Sequence, residues 1–411
     1  MEDMRKFGLG YCDLPTLFWN VSIFLRVITL NIDKRNTKGI PIPFYIITVI
    51  FISCYFYVYL VSMCWYVFFY CRITNDWITA IIVFSLGLSS EIGVCKLFYL
   101  YLFNHVRDLV DEYLICDSLL IPDSRFEGNI LKAMRYVKKR AMIFWIVIMF
   151  NGFVYITKPL ILPGRHLPED DFILYGLDPA FESPNFEITY LLSIAGIIVT
   201  VYLPSNITAF LIIITGYTEA QMLALSKEML HIWDDAEEYY RKFQIIHKTY
   251  KVDDKMKRTI LNKFVKYRLK DVVKIHTMNI KLLNRVESVF RGAIAIEFSI
   301  LIVSLTAELV GGFQNTYLEV PFALMQVAVD CFTGQKVIDA CIHFQNAVYA
   351  CKWENFDKSN MATVLVILQN SQKTMTLSAG GMTTLSYPSL MAILKSIYSA
   401  FTTLSSAVKK N

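Results

Sequence analysis

Two long stretches of the chain carry no charged side chain. None occurs between Lys38 and Arg72, or between Glu187 and Glu219. A helix that crosses the hydrocarbon core of a bilayer needs about 20 consecutive apolar residues, and both stretches are longer. Over the 411 residues, 55% are hydrophobic, only 18% are charged and the mean hydropathy is +0.44. These features exclude a soluble protein and predict an all-α integral membrane protein.

Hydropathy predicts seven transmembrane helices. They lie at about residues 43–67, 77–102, 141–160, 187–217, 287–311, 320–343 and 374–408. Before the first, apolar residues recur at helical spacing from Leu14 to Ile28 with Trp19 beside them, which predicts a helix lying in the membrane interface. A short helix is expected at about 361–372, and residues 218–286 are expected to extend the fourth and fifth helices into the cytoplasm.

Lysine and arginine divide the loops into two classes. The N-terminal segment and alternate loops hold thirty of them, whereas the remaining loops and the C-terminal tail hold five. Cytoplasmic loops carry the excess, so the N-terminus is predicted inside and, after seven spans, the C-terminus outside. The outer loop 161–186 is long, acidic and proline-containing, which is typical of a segment that folds as a lid.

No catalytic constellation is present. The six histidines are dispersed, and neither a zinc-protease motif, a nucleophile elbow nor a phosphate-binding glycine loop occurs. The basic charge is explained by inner loops facing anionic lipid, without nucleic acid. The chain is therefore predicted not to be an enzyme, and no cofactor or metal is expected.

Ionisable residues inside the predicted spans have two interpretations. Either they pair between helices or reach toward the membrane surface, or they mark a functional site. The set includes Glu91, Lys96, Glu297, Glu308, Asp330, Lys336 and Asp339.

Large apolar residues are frequent in the outer halves of several spans. Such residues with a few polar groups form pockets for small hydrophobic ligands, although most of them serve packing alone. The candidate pocket residues are Phe84, Leu88, Phe150, Phe153, Tyr155, Tyr190, Ile194, Ile197, Phe322, Met325 and Gln326.

The last helix, which ends in "SIYSAFTTLSSAVKKN", carries a stripe of hydroxyl groups. At helical spacing Ser389, Ser396, Ser399, Thr403 and Ser406 share one face, and Leu390, Ile397 and Leu404 are expected to face the protein. Small hydroxyl residues allow close helix packing. Alternatively, the stripe lines a water-filled cation pore, and without a ring of Asp or Glu that pore would select ions weakly.

Three stretches resemble one known family. "FTGQKVIDACIHFQNAVYACKWENFDKSN", "LQNSQKTMTLSAGGMTTLS" and "YGLDPAFESPNFE" are similar to insect odorant receptors, closest to the moth pheromone-receptor group. The resemblance implies a ligand-gated, non-selective cation channel: a tetramer in which the odorant-binding subunit joins a shared co-receptor. It also implies a volatile apolar ligand and a multi-pass location in the plasma membrane of sensory neuron dendrites.

The resemblance assigns roles along the chain. Residues 1–42 form the cytoplasmic N-terminal segment, 43–217 the ligand-pocket region and 218–286 the cytoplasmic extensions. Residues 287–343 contain spans five and six, 337–373 a cytoplasmic anchor between subunits and 374–408 the pore-lining span. Ser396, Ser399, Thr403 and Ser406 would line the pore, with the gate near Thr403. The co-receptor has a bulkier aliphatic residue there, so this chain is expected not to form a well-regulated channel alone.

Three alternatives are weighed against this assignment. A G-protein-coupled receptor requires the opposite orientation. A transporter should show inverted repeats and broken helices, which the sequence lacks. A gustatory-type receptor of the same superfamily is disfavoured by the "WENFDK" and "SAGGMTTLS" stretches.

Overall fold

The computed structural model describes residues 6–37, 39–102, 105–247 and 254–408. Their helices are numbered in chain order as α1 (Leu14–Val27), α2 (Ile42–Thr74), α3 (Trp77–Leu102), α4 (Val106–Ser118), α5 (Arg125–Ile161), α6 (Asn185–His247), α7 (Asp254–Gly311), α8 (Glu319–Tyr349), α9 (Lys358–Ser371) and α10 (Tyr387–Val408). Two π-helical segments, Tyr57–Ser62 and Tyr66–Tyr70, interrupt α2, and a 3-10 turn, Trp353–Asn355, precedes α9. The basic residues of the charge count that fall outside the described residues are Arg5, Lys38, Lys248, Lys251, Lys409 and Lys410.

Among the described residues, five helices are long and apolar enough to cross a membrane: α2, α3, α5, α6 and α7. Predicted spans six and seven correspond to α8 and α10, helices of 31 and 22 residues. At 1.5 Å per residue these reach about 46 and 33 Å, enough for a bilayer core of about 30 Å. Both helices contain polar residues, among them Asp330 and Lys336 in α8, and for this reason they are not among the five apolar helices. The seven-span topology therefore stays a prediction.

Helix α1 differs from the predicted interfacial helix. Asp13 caps its start by accepting a hydrogen bond from the Thr16 backbone N–H at 3.0 Å. Its apolar face is buried against the protein: Phe18 is fully buried, with its ring 6.4 Å from Tyr113 of α4 and 6.0 Å from Phe210 of α6. The amphipathic pattern was identified correctly, but the surface that covers it is protein instead of lipid.

Helices α5, α6 and α7 continue well past the thickness of a bilayer. They contain 37, 63 and 58 residues, and α6 alone is about 95 Å long. Their basic extensions are joined by Glu228, whose carboxylate accepts two hydrogen bonds from Arg125 at 2.9 Å and one from Arg268. This region is called the basic end of the bundle, and the opposite end, covered by residues 162–184, the loop end.

The last predicted span begins later than expected. Residues 374–386 do not join a helix, because Ser378–Ala379 and Thr383–Thr384 pair as a short antiparallel hairpin. Gly380 and Gly381 turn it with φ of +64° and +76°, a region that favours glycine. The Gly380 N–H donates to the Arg291 carbonyl at 2.9 Å, which fixes the hairpin on α7. The pore-candidate helix proper is therefore α10.

Three charges are buried where four helices meet. Lys96 of α3 lies 2.7 Å from Glu297 of α7 and 3.7 Å from Asp330 of α8, and its ammonium donates to the Thr208 hydroxyl of α6 at 3.0 Å. Each of the three charged side chains is at most 4% exposed. Of the two interpretations of the ionisable residues in the spans, the structure agrees with ion pairing for these three. Lys336 likewise lies 3.8 Å from Asp339.

Candidate functional site

A small cavity of about 40 Å³ lies between α2, α3, α5, α6 and α8 toward the loop end. Its apolar and aromatic walls include Tyr59, Leu86, Tyr155, Ile197 and Phe322. Its polar lining comes from Ser89, Ser90, Asn151, Thr200 and Glu319. This combination of apolar walls and few polar groups is the pattern of a site for a small hydrophobic molecule.

The cavity collects some of the predicted pocket residues and leaves others outside. Tyr155, Ile197 and Phe322 line it, and Gln326 is fully buried one turn beyond Phe322. The predicted residues that are half-buried and outside the lining are Phe84, Leu88, Tyr190, Ile194 and Met325.

Phe150 and Phe153 are placed differently. Their side chains are 62% and 60% exposed and stack on each other along the outer surface of α5. On a helix of a membrane protein, this surface is available to lipid. The structure therefore does not bring these two phenylalanines to the cavity.

Sequence reasoning missed several lining residues, most clearly Tyr59 and Glu319. Tyr59 lies in the first predicted span, from which no pocket residue was chosen. Glu319 directly precedes the predicted start of the sixth span, so it was not counted among the ionisable residues in membrane helices. The general rule that buried ionisable groups mark sites would have found it if the span had begun one residue earlier.

Hydrogen bonds fix part of the polar lining. The Asn151 amide donates to the Leu318 carbonyl at 3.0 Å, and the Tyr155 hydroxyl donates to Glu319 Oε1 at 3.4 Å. Glu319 is 4% exposed, and its second oxygen, Oε2, has no hydrogen-bond partner among the described residues. A buried oxygen without a partner is costly, so a ligand that supplies one is favoured.

The loop between α5 and α6 is packed onto α2. Tyr57 and Tyr66 donate hydrogen bonds from their hydroxyls to the carbonyls of Tyr175 and Asp171, and the Tyr175 N–H donates to Ser62 at 3.2 Å. The Tyr175 ring lies edge-on to Trp65 at 5.3 Å. These contacts fix the loop on α2, and its role as a lid stays a prediction.

Acidic residues of this loop lie close enough together to shift the pKa of Glu169. Burial, and then the carboxylates of Asp171 and Asp170, raise the pKa of Glu169 to about 8. Glu169 also interacts electrostatically with the cavity residues Tyr59 and Glu319. Nearby, a 2.7 Å hydrogen bond to Asp170 raises the pKa of His166 above its usual value. The protonation state of Glu169 therefore affects the electrostatic environment of the cavity residues Tyr59 and Glu319.

Helix α10 carries the hydroxyl stripe on a face that the chain itself leaves uncovered. Ser396, Ser399, Thr403 and Ser406 are exposed, whereas Ile393 and Ile397 are buried. The hydroxyls of Ser396, Thr403 and Ser406 donate to carbonyls of the same helix at 2.7–2.9 Å. Their oxygens keep free lone pairs, the group that can solvate a cation.

One expectation for α10 was wrong. Ile397 is 4% exposed and Leu390 is half-buried, as expected, but Leu404 is 47% exposed and does not face the protein. The reason is that full burial along α10 ends at Ile397, and beyond it no described side chain of the helix is fully buried in a single chain.

Comparison with known proteins identifies the family. Residues 78–398 match the family model described as 7tm Odorant receptor. The structure of the insect olfactory receptor OR5 from Machilis hrabei superimposes with a TM-score of 0.71 at 13% identity, covering 95% of this chain and 98% of that one. The complex of OR5 with eugenol gives a TM-score of 0.67 at 13% identity, covering 97% and 99%. At this identity, the likeness shows a shared fold.

A curated relative adds a shorter match. Odorant receptor 22a of Drosophila melanogaster is 23% identical over 144 residues, which span 33% of this chain and 36% of the relative. The match to the family model covers most of the chain, and it sets aside the gustatory, G-protein-coupled and transporter alternatives. The chain belongs to the insect odorant receptor family, a family of receptors and not of enzymes.

Proposed function

We propose that the chain is the odorant-binding subunit of a ligand-gated, non-selective cation channel. It would cross the plasma membrane of sensory neuron dendrites seven times, with the basic end in the cytoplasm and the loop end outside. The charge count supports this orientation, because thirty Lys and Arg residues lie in the N-terminal segment and alternate loops against five elsewhere. The observation that carries the proposal is the apolar cavity at the loop end, near a packed outer loop, in a chain of the odorant receptor family.

The ligand is proposed to be a volatile apolar molecule with one polar group. The related receptor OR5 has been solved in complex with eugenol, which supports a small organic ligand for this chain as well. In this cavity the unpartnered Glu319 oxygen, with Tyr155 and Asn151 beside it, would meet the polar group. Apolar walls supply most of the affinity, at about 0.8 kcal/mol for each buried CH₂.

The cavity has to widen to admit such a ligand. Its volume of about 40 Å³ holds a few water molecules, whereas pockets for organic ligands measure about 300–1,000 Å³. Binding such a ligand therefore requires the walls of the cavity to move apart. A long acyl ligand of the kind suggested by the moth pheromone-receptor resemblance would require the larger opening.

The pore is proposed to form around α10 in a tetramer with the co-receptor subunit. The exposed stripe supports this role because four helices around a central axis would turn their hydroxyl oxygens toward passing cations. Thr403 is proposed as the gate position and residues 337–373 as the anchor between subunits. A threonine seals a dewetted pore less well than an aliphatic side chain, so the co-receptor would be needed for tight closure.

Recordings from cells that express the chain with the co-receptor test the pore. Thr403→Val should alter gating, whereas Thr402→Val, the same change off the stripe, should not. Ser399→Cys should be blocked by an external thiol reagent only in the open state, while Ser405→Cys serves as the control. Equal effects of the stripe and control variants would move the pore to another helix. Strong ligand-gated current from the chain alone would contradict the need for a co-receptor.

Dose–response curves test the cavity. Phe322→Ala should weaken the apparent affinity by about 10–100-fold, the equivalent of losing a buried aromatic contact of about 1.5–3 kcal/mol. Phe153→Ala removes the same type of side chain from the exposed face of α5. It should change the apparent affinity less than about 2-fold, as expected for a substitution on the surface. The reverse order would place the ligand on the outer face of the bundle instead.

A further inference from the structure

A second and much larger cavity lies at the basic end. It measures about 970 Å³ and opens between α5, α6 and α8. Six basic side chains line it: Lys132, Lys139, Arg140, Lys227, Lys336 and His343. It is separate from the loop-end cavity, and ligand binding there does not account for it.

The charges of this basic cavity are mostly unneutralised. Glu219 is the only acidic residue in its lining, and it pairs with Arg140. Lys227 is hydrogen-bonded to the neutral amide of Asn129. Lys132 and Lys139 are exposed and take part in no ion pair of the described residues. Lys336 lies 3.8 Å from Asp339, which is outside the lining, so five lysines and arginines against Glu219 and Asp339 leave a net charge of +3, before any histidine protonation.

The cavity also has an apolar wall, which runs along the helices from Ile143 to Leu230. Ile143 and Leu230, which line it, are 49% and 42% exposed, and Leu223 is half-buried. Arg140 directly precedes the predicted membrane span that begins at 141, and Lys132 lies eight residues, about 12 Å, farther along the same helix. In the proposed orientation, the cavity therefore starts at the inner membrane boundary and extends toward the cytoplasm.

We infer that this basic cavity binds the headgroup of an inner-leaflet phospholipid with a multiply phosphorylated inositol ring. Each phosphate monoester carries about −1.5 to −2 charges at neutral pH, so two of them match the net charge of the lining. The headgroup volume suits a cavity of this size, and the apolar wall receives the start of the acyl chains. A lipid with one negative charge, such as phosphatidylserine, would leave most of the lysines unpaired.

Native mass spectrometry of the purified full-length chain in detergent tests the inference. The probes are dioctanoyl phosphatidylinositol 4,5-bisphosphate, dioctanoyl phosphatidylserine and soluble inositol 1,4,5-trisphosphate. The bisphosphate lipid should bind most tightly. Lys132→Gln with Lys139→Gln should weaken its binding by about 30-fold, since each basic residue near anionic lipid contributes about 5-fold.

A matched control separates this site from general attraction. Lys263→Gln with Lys266→Gln removes the same charge from exposed positions on α7, outside the cavity, and should change binding less than 2-fold. Equal losses in the two double variants, or no loss in either, would overturn the site. Phosphatidylserine binding as tightly as the bisphosphate lipid would overturn the headgroup assignment. Soluble trisphosphate binding as tightly as the lipid would replace the lipid with a free inositol phosphate.

Discussion

Replacing Lys96 with methionine should destabilise the protein more than any other single change in its buried charge network. Lys96, Glu297 and Asp330 together carry a net charge of −1, and Lys96 is the only cation among them. Lys96→Met keeps the volume but leaves two carboxylates buried side by side, with a charge of −2. Glu297→Gln instead leaves Lys96 paired with Asp330 and the network neutral.

The magnitude follows from burial and distance. Removing one partner of a buried ion pair costs about 3–5 kcal/mol, because the charge that remains has neither solvent nor partner. The 2.7 Å contact and the 4% and 1% exposures place the Lys96–Glu297 pair in that class. Glu297→Gln should cost less than about 2 kcal/mol, because Lys96 keeps Asp330 as its ion-pair partner and its hydrogen bond to Thr208.

Thermal unfolding of the purified chain in detergent, followed by tryptophan fluorescence, measures the difference. For a chain of this length, Lys96→Met should lower the melting temperature by about 3–8 °C, and Glu297→Gln by no more than about half of that. The triple variant Lys96→Met, Glu297→Gln and Asp330→Asn removes all three charges and should recover much of the loss. Equal shifts for the two single variants would refute the charge argument.

Other predictions concern the hairpin, the loop and the basic end. In Gly334→Ala the new Cβ would clash with the Leu385 carbonyl oxygen, so the backbone must move and ligand-evoked current should fall with surface expression retained. Gly128→Ala, whose new Cβ meets nothing within 4 Å, should leave the current unchanged. The packed loop raises the pKa of Glu169 to about 8, so the packed conformation favours the protonated carboxyl. The contribution of this group to the stability of the loop is complete below about pH 4.5 and is lost as the pH rises through 8. Hydrogen exchange of residues 161–186, corrected for the intrinsic exchange rate, should therefore show more opening at pH 8.5 than at pH 5.5, and Glu169→Gln should reduce that difference, with His166 accounting for the rest; an unchanged difference would contradict it. Glu228→Gln should lower the melting temperature more than Glu238→Gln, whose residue pairs only with exposed Lys242, and equal shifts would contradict the role of the Arg125–Glu228–Arg268 contacts.

Hydropathy predicted the long helices correctly but did not predict where the backbone turns. The charge-free stretches predicted α2 and the membrane part of α6, since an apolar run of that length has few other ways to satisfy its backbone. The hairpin at 374–386 was missed because its apolar residues, Met375 and Leu377, read like helix. The information that ends the helix lies in Gly380 and Gly381, whose positive φ a hydropathy average does not register.

The candidate cavity shows a different limit. Periodicity identified large apolar residues in the outer half of α5 but not the side of the helix that faces inward. Tyr155 is 7% exposed, whereas Phe153, two residues earlier and so on a different face, is 60% exposed. Which face is covered depends on the positions of α6 and α8, and no local pattern in α5 encodes them.

The hairpin and the first half of α10 are fixed to the protein, whereas the last turns of α10 are not fully buried. The hairpin is fixed to α7 by the Gly380–Arg291 hydrogen bond, Leu385 touches Gly334 of α8, and beyond Ile397 no described side chain of α10 is fully buried. The part of α10 beyond Ile397 is about 16 Å long, so a tilt of about 10° displaces its end by about 3 Å. Small rearrangements between α7 and α8 are therefore sufficient to move the end of α10 by the width of an ion.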